Sequence, residues 1–251
     1  MIFYVGLHHP GDAIHFRHAF VSINALKNRR KPISHRRVPI DSGAFTLLNK
    51  HGHYPEPVEA YAQQLYDLWV NSVVRIDFAV AQDYMCEPFV LAKTGLTIPE
   101  HQRLTVERYD GLVAALKVLF EGAIPFPIMP VLQGFAVSDY LQHLAMYGER
   151  LTPGMRVGVG SVCKRQGKVA VIEELLTAIK EVRPDLRLHG FWRQDHVARQ
   201  RARAPAALQR RQHGLEFRGS EKWAQRQRLA RSEGFRRPRR ATADHVLTVI
   251  V

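Results

Sequence analysis

Short apolar runs alternate with amphipathic ones through residue 191. Residues 2–6 (IFYVG), 38–43 (VPIDSG), 73–84 (VVRIDFAVAQDY), 126–134 (FPIMPVLQG), 155–162 (MRVGVGSV) and 186–191 (LRLHGF) are brief and rich in Val, Ile and Phe. Glycine or a polar residue closes each or follows closely, so the pattern predicts six strands. Between them, residues 12–30, 56–71, 97–122, 138–151 and 169–182 space their apolar positions as helices do. Asp12 is a plausible cap for the first. Thr97 with Pro99 opens the third and Gly122 follows it, and Pro184 stops the fifth.

Strand–helix alternation with short connections predicts a parallel α/β fold. A (β/α) barrel and a doubly wound sheet both place their sites at the carboxyl ends of the strands. Periodicity does not separate the two. No G-x-G-x-x-G follows the first strand, and GVGSVCKR (157–165 with its flank) has the wrong glycine spacing for a dinucleotide or phosphate loop.

After Phe191 the apolar rhythm stops and arginine takes over. Residues 192–240 hold 14 Arg and one Lys against four acidic residues, a balance of +11, whereas residues 1–191 carry only +3 of the overall +13. The basicity that would suggest a polyanionic partner therefore belongs to the tail. The expected organisation is a body at 1–191 and an Arg-rich segment at 192–251. Cys86 and Cys163 are too few for a disulfide framework or a cysteine-rich zinc site, and they fit a reducing cytoplasm. The first residues lack the basic and apolar regions of a signal peptide, and no apolar run reaches membrane-spanning length, so a cytoplasmic location without membrane contact is expected.

Candidate chemistry gathers where strands end. Asp41 in DSGAFT (41–46) ends one strand, with Ser42 beside it and Gly43 permitting a tight turn. Taken alone, Asp41 reads better as a cap for the next segment. Asp83 in AQDYMCEP (81–88) carries the same ambiguity. Gln133 ends VLQG, and Gly134 lets a ligand approach the backbone. Ser161 and Val162 offer backbone N–H and C=O groups after the fifth strand. Two acids, one amide and open backbone at successive strand ends say more together than any one does alone.

The order D-S-G-A-F, an Asp after strand three, VLQG after strand four and GVGSV after strand five resembles the tRNA-guanine transglycosylases. The stretches GLHHP, AQDYMCEPF, TGLT..EHQRLT.ERY, MPVLQG and VGVGSVCKRQG are closer still to the DpdA-type paralogues, over residues 1 to about 191. That resemblance implies a (β/α) TIM-type barrel and replacement of guanine in DNA by a 7-deazaguanine base. It implies that Asp41 handles the proton of the exchanged base and that Ser42 helps hold it. Asp83 would accept from the purine N–H edge, and Gln133 with the Gly134 backbone would reach its carbonyl side. The Ser161 N–H and Val162 C=O would complete recognition. Ala44 and Thr46 depart from the Gly and Gln of the tRNA enzymes. No cofactor is implied, and the Cys₃His zinc site of the tRNA enzymes cannot be built here. DNA, a free deazapurine and accessory DNA-modification proteins are the implied partners, in a phage or mobile-element setting. An RNA substrate and a non-catalytic nucleic-acid-binding relic are the alternatives.

In the family the nucleophilic Asp lies on strand seven, in a segment like A-D-S-M-A-W-S. Here LRLHGF is followed by Trp192 where Gly is expected, and no such segment exists. Shifting the reading frame by one base near codon 192 restores a compatible series. The codons of Arg210 to Phe217 then permit Ala-Asp-Ser-Met-Ala-Trp-Ser, with the nucleophile codon straddling Arg211 and Gln212. Residues from about 192 onward are therefore read as out of frame, leaving six strand–helix units and a barrel without its last two native strands. A phosphate-binding tail and a solvated disordered segment are the competing accounts.

Overall fold

A computed structural model of the chain describes residues 2–34, 36–162, 169–193 and 246–250. In chain order the elements are β1 (Ile2–Leu7), β2 (Ala19–Ser22), β3 (Arg37–Asp41), α1 (Ala44–His51), α2 (Val58–Val70), β4 (Arg75–Val80), α3 (Pro88–Thr94) and α4 (Ile98–Leu119). There follow β5 (Ile128–Met129), β6 (Val131–Leu132), α5 (Val137–Tyr147), β7 (Arg156–Val159), α6 (Val169–Val182), β8 (Arg187–Arg193) and β9 (Val246–Ile250). Short 3-10 turns occupy Pro10–His15, Ile23–Leu26 and Gly148–Arg150.

The described strands form one sheet in the order β5-β4-β3-β2-β1-β9-β8-β7-β6. Every pairing is parallel except the two that β9 makes, antiparallel to β1 and β8. The fold is thus α/β with a predominantly parallel sheet, as the alternation predicts. The two ends of that order, β5 and β6, are halves of one stretch interrupted by Pro130, which has no N–H to give. Pro127 O and Met129 O accept from Ala79 N (3.0 Å) and Ala81 N (2.9 Å) on the β4 side. Pro130 O and Leu132 O accept from Gly158 N (2.8 Å) and Gly160 N (2.9 Å) on the β7 side.

Both faces of the sheet are buried. Val21, Ile40, Ile76 and Leu132 pack with Leu65, Leu112 and Leu116 of the helices. On the other face Tyr4, Phe20, Phe78, Val80, Met129 and Val131 form a second cluster, with Ile2 and Phe191 against it. Neighbours such as Phe20 and Val21, or Val131 and Leu132, fall in opposite clusters because successive strand residues point to opposite faces. A fully buried helix leucine such as Leu112 contributes about 2–5 kcal/mol relative to alanine.

That double burial explains one correction. Residues 12–30, expected as a helix, contain a 3-10 turn, strand β2 and a second 3-10 turn. AFVS is apolar on both faces, and a short continuous apolar run looks the same in a buried strand and in a helix. The chain therefore carries a strand between β1 and β3 that six strand–helix units do not count. It also carries β9, inside the segment expected as a tail, and β8 continues to Arg193. Residues 194–245 and the proposed nucleophile codon at Arg211 and Gln212 lie outside the described residues. Helices α1 and α3, eight and seven residues long, were not anticipated. The expected helices at 56–71, 97–122, 138–151 and 169–182 are present as α2, α4, α5 and α6. Helix α4 begins with a capping box: Thr97 Oγ1 accepts from Glu100 N at 3.4 Å, and Thr97 N donates to Glu100 Oε2 at 2.7 Å.

Candidate functional site at the carboxyl end of the sheet

The polar strand ends meet. Asp83 follows β4, Gln133 follows β6 and Ser161 follows β7, and all three are buried. The Gln133 amide donates from Nε2 to Asp83 Oδ2. Its Oε1 accepts from Ser161 Oγ at 2.6 Å. Ser161 Oγ also lies 2.9 Å from Glu87 Oε2 and accepts from Cys86 N at 2.9 Å. A serine hydroxyl has one proton, so it can be donated to Gln133 or to Glu87 but not fully to both. Ser161 holds a positive φ of 55°, a conformation uncommon for a residue with a Cβ. Such outliers persist where surrounding structure over-determines them.

Glycine makes room for this relay. A Cβ at Gly160 would lie 2.6 Å from Gln133 Cδ, so only glycine lets the amide lie across the strand end. Gly43 has φ +71°, and a Cβ there would sit 2.8 Å from Asn24 Cγ. It caps α1 and donates its N–H to Asp41 Oδ2 at 3.0 Å. Gly134 answers a packing need, because its Cβ would meet Asp139 Cβ at 2.7 Å and Tyr140 N at 3.0 Å. Val162 is a core residue, 1% exposed.

Both aspartates are perturbed, and the Asp41 charge reaches Asp83. Burial is the main cause that pushes the Asp83 carboxyl up to about 7; the Gln133 hydrogen bond opposes it, and the charges of Asp41 and Glu87 add to it. Asp41 is also raised, by burial first, against hydrogen bonds from the Gly43 N–H and the Ser22 hydroxyl. A carboxyl that ionises near neutral pH can both give and take a proton there. Beside Asp41, Ser42 is 1% exposed, and its hydroxyl has no hydrogen-bond partner among the described residues. A buried polar atom left unpaired costs about 1–3 kcal/mol, which a ligand group could recover.

Sequence reasoning missed the layer behind these residues. His101, Gln102 and Thr105 of α4 are fully buried polar groups, with Arg108 half-buried one turn on. His101 Nδ1 lies 2.8 Å from Met85 O, and Thr105 Oγ1 accepts from Tyr84 N at 2.8 Å. Gln102 Nε2 donates to Gln133 O at 2.8 Å, and Gln133 N donates to His143 Nδ1 at 2.8 Å. Tyr54 donates to Asp83 O at 2.7 Å under the Arg108 guanidinium, which sits 4.0 Å from the tyrosine ring centre. The signal was legible: 101, 105 and 108 recur at helical spacing, so polar residues occupy the face that should be apolar. Glu87 was also missed, though it lies within the quoted AQDYMCEP.

Such an arrangement defines a class: an α/β protein whose buried carboxylates and amide converge at the carboxyl ends of parallel strands, suited to recognising a planar N–H-bearing ligand. The family model described as DpdA, DeoxyPurine in DNA protein A, matches residues 1–203, and the chain belongs to that family. Membership supports a role in deazapurine modification of DNA. No curated protein matches the chain. Among the described residues, no helix is long and apolar enough to cross a membrane.

Proposed function

We propose that the chain is built as a (β/α) barrel transglycosylase that exchanges guanine in DNA for a 7-deazaguanine base. The barrel reading is supported by the strand pairings: one stretch, residues 127–132, bonds to β4 on one side and β7 on the other. The observation that carries the function is the Asp83–Gln133–Ser161 relay within a chain of this family. Guanine and its 7-deaza analogues present adjacent N–H donors beside a carbonyl. A buried carboxylate matches the donor edge, and the second N–H of the Gln133 amide remains for the carbonyl. Gln133 thereby positions Asp83 as well as touching the base.

In this reading Asp41 is the proton carrier. A carboxylate attacks C1′ of the nucleotide, the C1′–N9 bond breaks, and the departing guanine takes its proton from Asp41. The incoming deazapurine loses its N9 proton to Asp41, bonds to C1′ and releases the carboxylate. Division into two displacements lowers the barrier of each. In duplex DNA the nucleotide must first leave the stack.

The attacking carboxylate is the group for which no residue stands in sequence order, since the A-D-S-M-A-W-S segment is absent. The proposal is therefore a chain that binds the base but transfers it poorly or not at all, with the frame slipping near Trp192. Incubating the full chain with DNA and radiolabelled 7-deazaguanine checks this, with label in DNA expected at background. Robust incorporation would refute the inactivity while sustaining the reaction. Resequencing codons 185 to 215 in independent clones tests the frame, and an intact frame in all of them would end that account.

A further inference from the structure

The opposite end of the same strands carries a different chemistry. Arg17 and His18 immediately precede β2, Arg36 precedes and Arg37 opens β3, Arg75 opens β4, Arg156 opens β7 and Arg187 opens β8. Arg37 is in register with Arg75, and Arg156 with Arg187, so the guanidinium-bearing positions stand side by side at the amino ends of parallel strands. A cavity of about 470 Å³ opens there, lined by Tyr4, Arg17, His18, Arg36, Arg37 and Asp77. Arg17, Arg36 and Arg37 are exposed, and none of them makes an ion pair with a described residue.

The one carboxylate among the described residues of the cavity is already engaged. Tyr4 donates its hydroxyl to Asp77 Oδ2 at 3.4 Å, and the Arg156 guanidinium lies 3.9 Å from the same oxygen. Arg156 itself is held over the Phe78 ring, 4.2 Å from its centre, and its buried Nε has no acceptor among the described residues. Three guanidiniums without an ion pair to a described residue surround a space of ligand size, and with only the engaged Asp77 beside them they repel one another. Guanidinium forks fit phosphate oxygens, and Asp77 can accept from a hydroxyl or amino group beside the phosphate.

We propose that this amino-end cavity binds the phosphate group of a nucleotide unit, at a site separate from the base-exchange site. The nucleotide unit is either a free mononucleotide or a residue of the DNA backbone. Along β3, Arg37 and Asp41 stand about 13 Å apart, so the two sites occupy opposite ends of the strands and need not compete.

Calorimetric titration of the full chain at fixed salt tests the site, with inorganic pyrophosphate, deoxyguanosine monophosphate and a short DNA duplex as probes. The triple variant R17Q/R36Q/R37Q is compared with R237Q/R239Q/R240Q, which removes the same charge from the Arg-rich segment. All three arginines of the first variant are exposed, and a thermal scan verifies that it folds. The proposal expects the first variant to weaken pyrophosphate binding about tenfold or more, with the second close to the parent. Equal weakening by both variants, no weakening by the first, or no pyrophosphate binding to the parent overturns it. Loss confined to the mononucleotide identifies a small ligand, and loss for the duplex as well identifies the DNA backbone. Asp83→Asn serves as the separator: it alters guanine binding if the base-site reading holds, and it leaves the phosphate site intact either way.

Discussion

The two ends of one sheet solve opposite electrostatic problems. At the carboxyl end Asp83, Gln133 and Ser161 are buried and bonded to one another, and burial lifts Asp83 to about 7. At the amino end Arg17, Arg36 and Arg37 stand exposed around an open cavity. Recognition of a base edge needs fixed geometry and a tuned proton, so it uses desolvated groups held by neighbours. Attraction of a phosphate needs only charge and reach, so it can use long side chains in water. The difference teaches that perturbed protonation and hydrogen-bond closure, more than charge density, single out the end proposed for base exchange.

The largest effect that would break this contrast is at Asp83. Replacing it with Asn puts an amide where the ligand presents donors, removing two charge-assisted hydrogen bonds of about 1.5–3 kcal/mol each. Guanine affinity, measured by calorimetry at pH 8, should fall by about 100-fold or more. The fold itself should gain stability at that pH, because a buried ionised carboxylate has been removed. An unchanged guanine affinity would show that the base binds elsewhere.

Titration sharpens the contrast, since the interior between the two ends has the opposite sign. His189 of β8 is fully buried, surrounded by the rings of Tyr4, Phe20, Phe78 and Phe191, and neither ring nitrogen has a partner among the described residues. Burial, with the Arg156 charge, lowers it to about 3, and burial lowers His143 to about 4. Both histidines stay neutral in the fold while the unfolded chain protonates them, so stability is present above about pH 6.5 and is lost as pH falls towards those values. Asp83 runs the other way: its folded value is raised, so the fold gains as pH falls from about 7 towards 4. His189→Phe keeps an aromatic ring in an aromatic setting and should remove about 2.3 kcal/mol of the loss between pH 6.5 and 4.5. Asp83→Asn should steepen that loss. Urea unfolding at the two pH values reads both, and a parallel response of the two variants would contradict the assignment.

A smaller effect is expected at Gly160. Alanine there would press on Gln133 Cδ and push the amide from the strand end. Asp83 would remain but lose its donor, so guanine affinity should drop about tenfold, with the pH midpoint of binding moving upward. A calorimetric pH series distinguishes this from simple unfolding.

How much of this was legible follows from what each pattern encodes. Strand ends at Asp41, Asp83, Gln133 and Ser161 stood out because apolar runs break there, and the fold brings Asp83, Gln133 and Ser161 into contact. The long helix was legible because Thr97 and Glu100 write their own capping box. Strand β2 was not, because AFVS is buried on both faces and loses the alternation that identifies a strand. Helices α1 and α3 were too short for periodicity to speak. At Gly134 the fold adds a second reason for glycine, since a Cβ would press on Asp139 and Tyr140, and no spacing in the sequence shows that packing. The amino-end arginines escaped notice because Arg17, the Arg36–Arg37 pair, Arg75, Arg156 and Arg187 lie far apart in sequence and only the strand pairings gather them.

The smallest expected effect sits at that amino end. Arg36 is exposed and makes no ion pair with a described residue, so Arg36→Gln removes no attraction and relieves repulsion from Arg17 and Arg37. Its stability should lie within about 0.5 kcal/mol of the parent, on the favourable side, and more so at low salt because screening is weak there. Arg150→Gln is the fitting reference: that side chain grips Asp110 through Nε at 2.6 Å and through its second nitrogen at 2.8 Å, yet stays exposed. Losing it should cost about 0.2–1 kcal/mol. If Arg36→Gln instead destabilised the fold more than Arg150→Gln, the arginines at the amino end would be part of the framework. They would then no longer be charge held in reserve for a ligand, and the division between the two ends would fail.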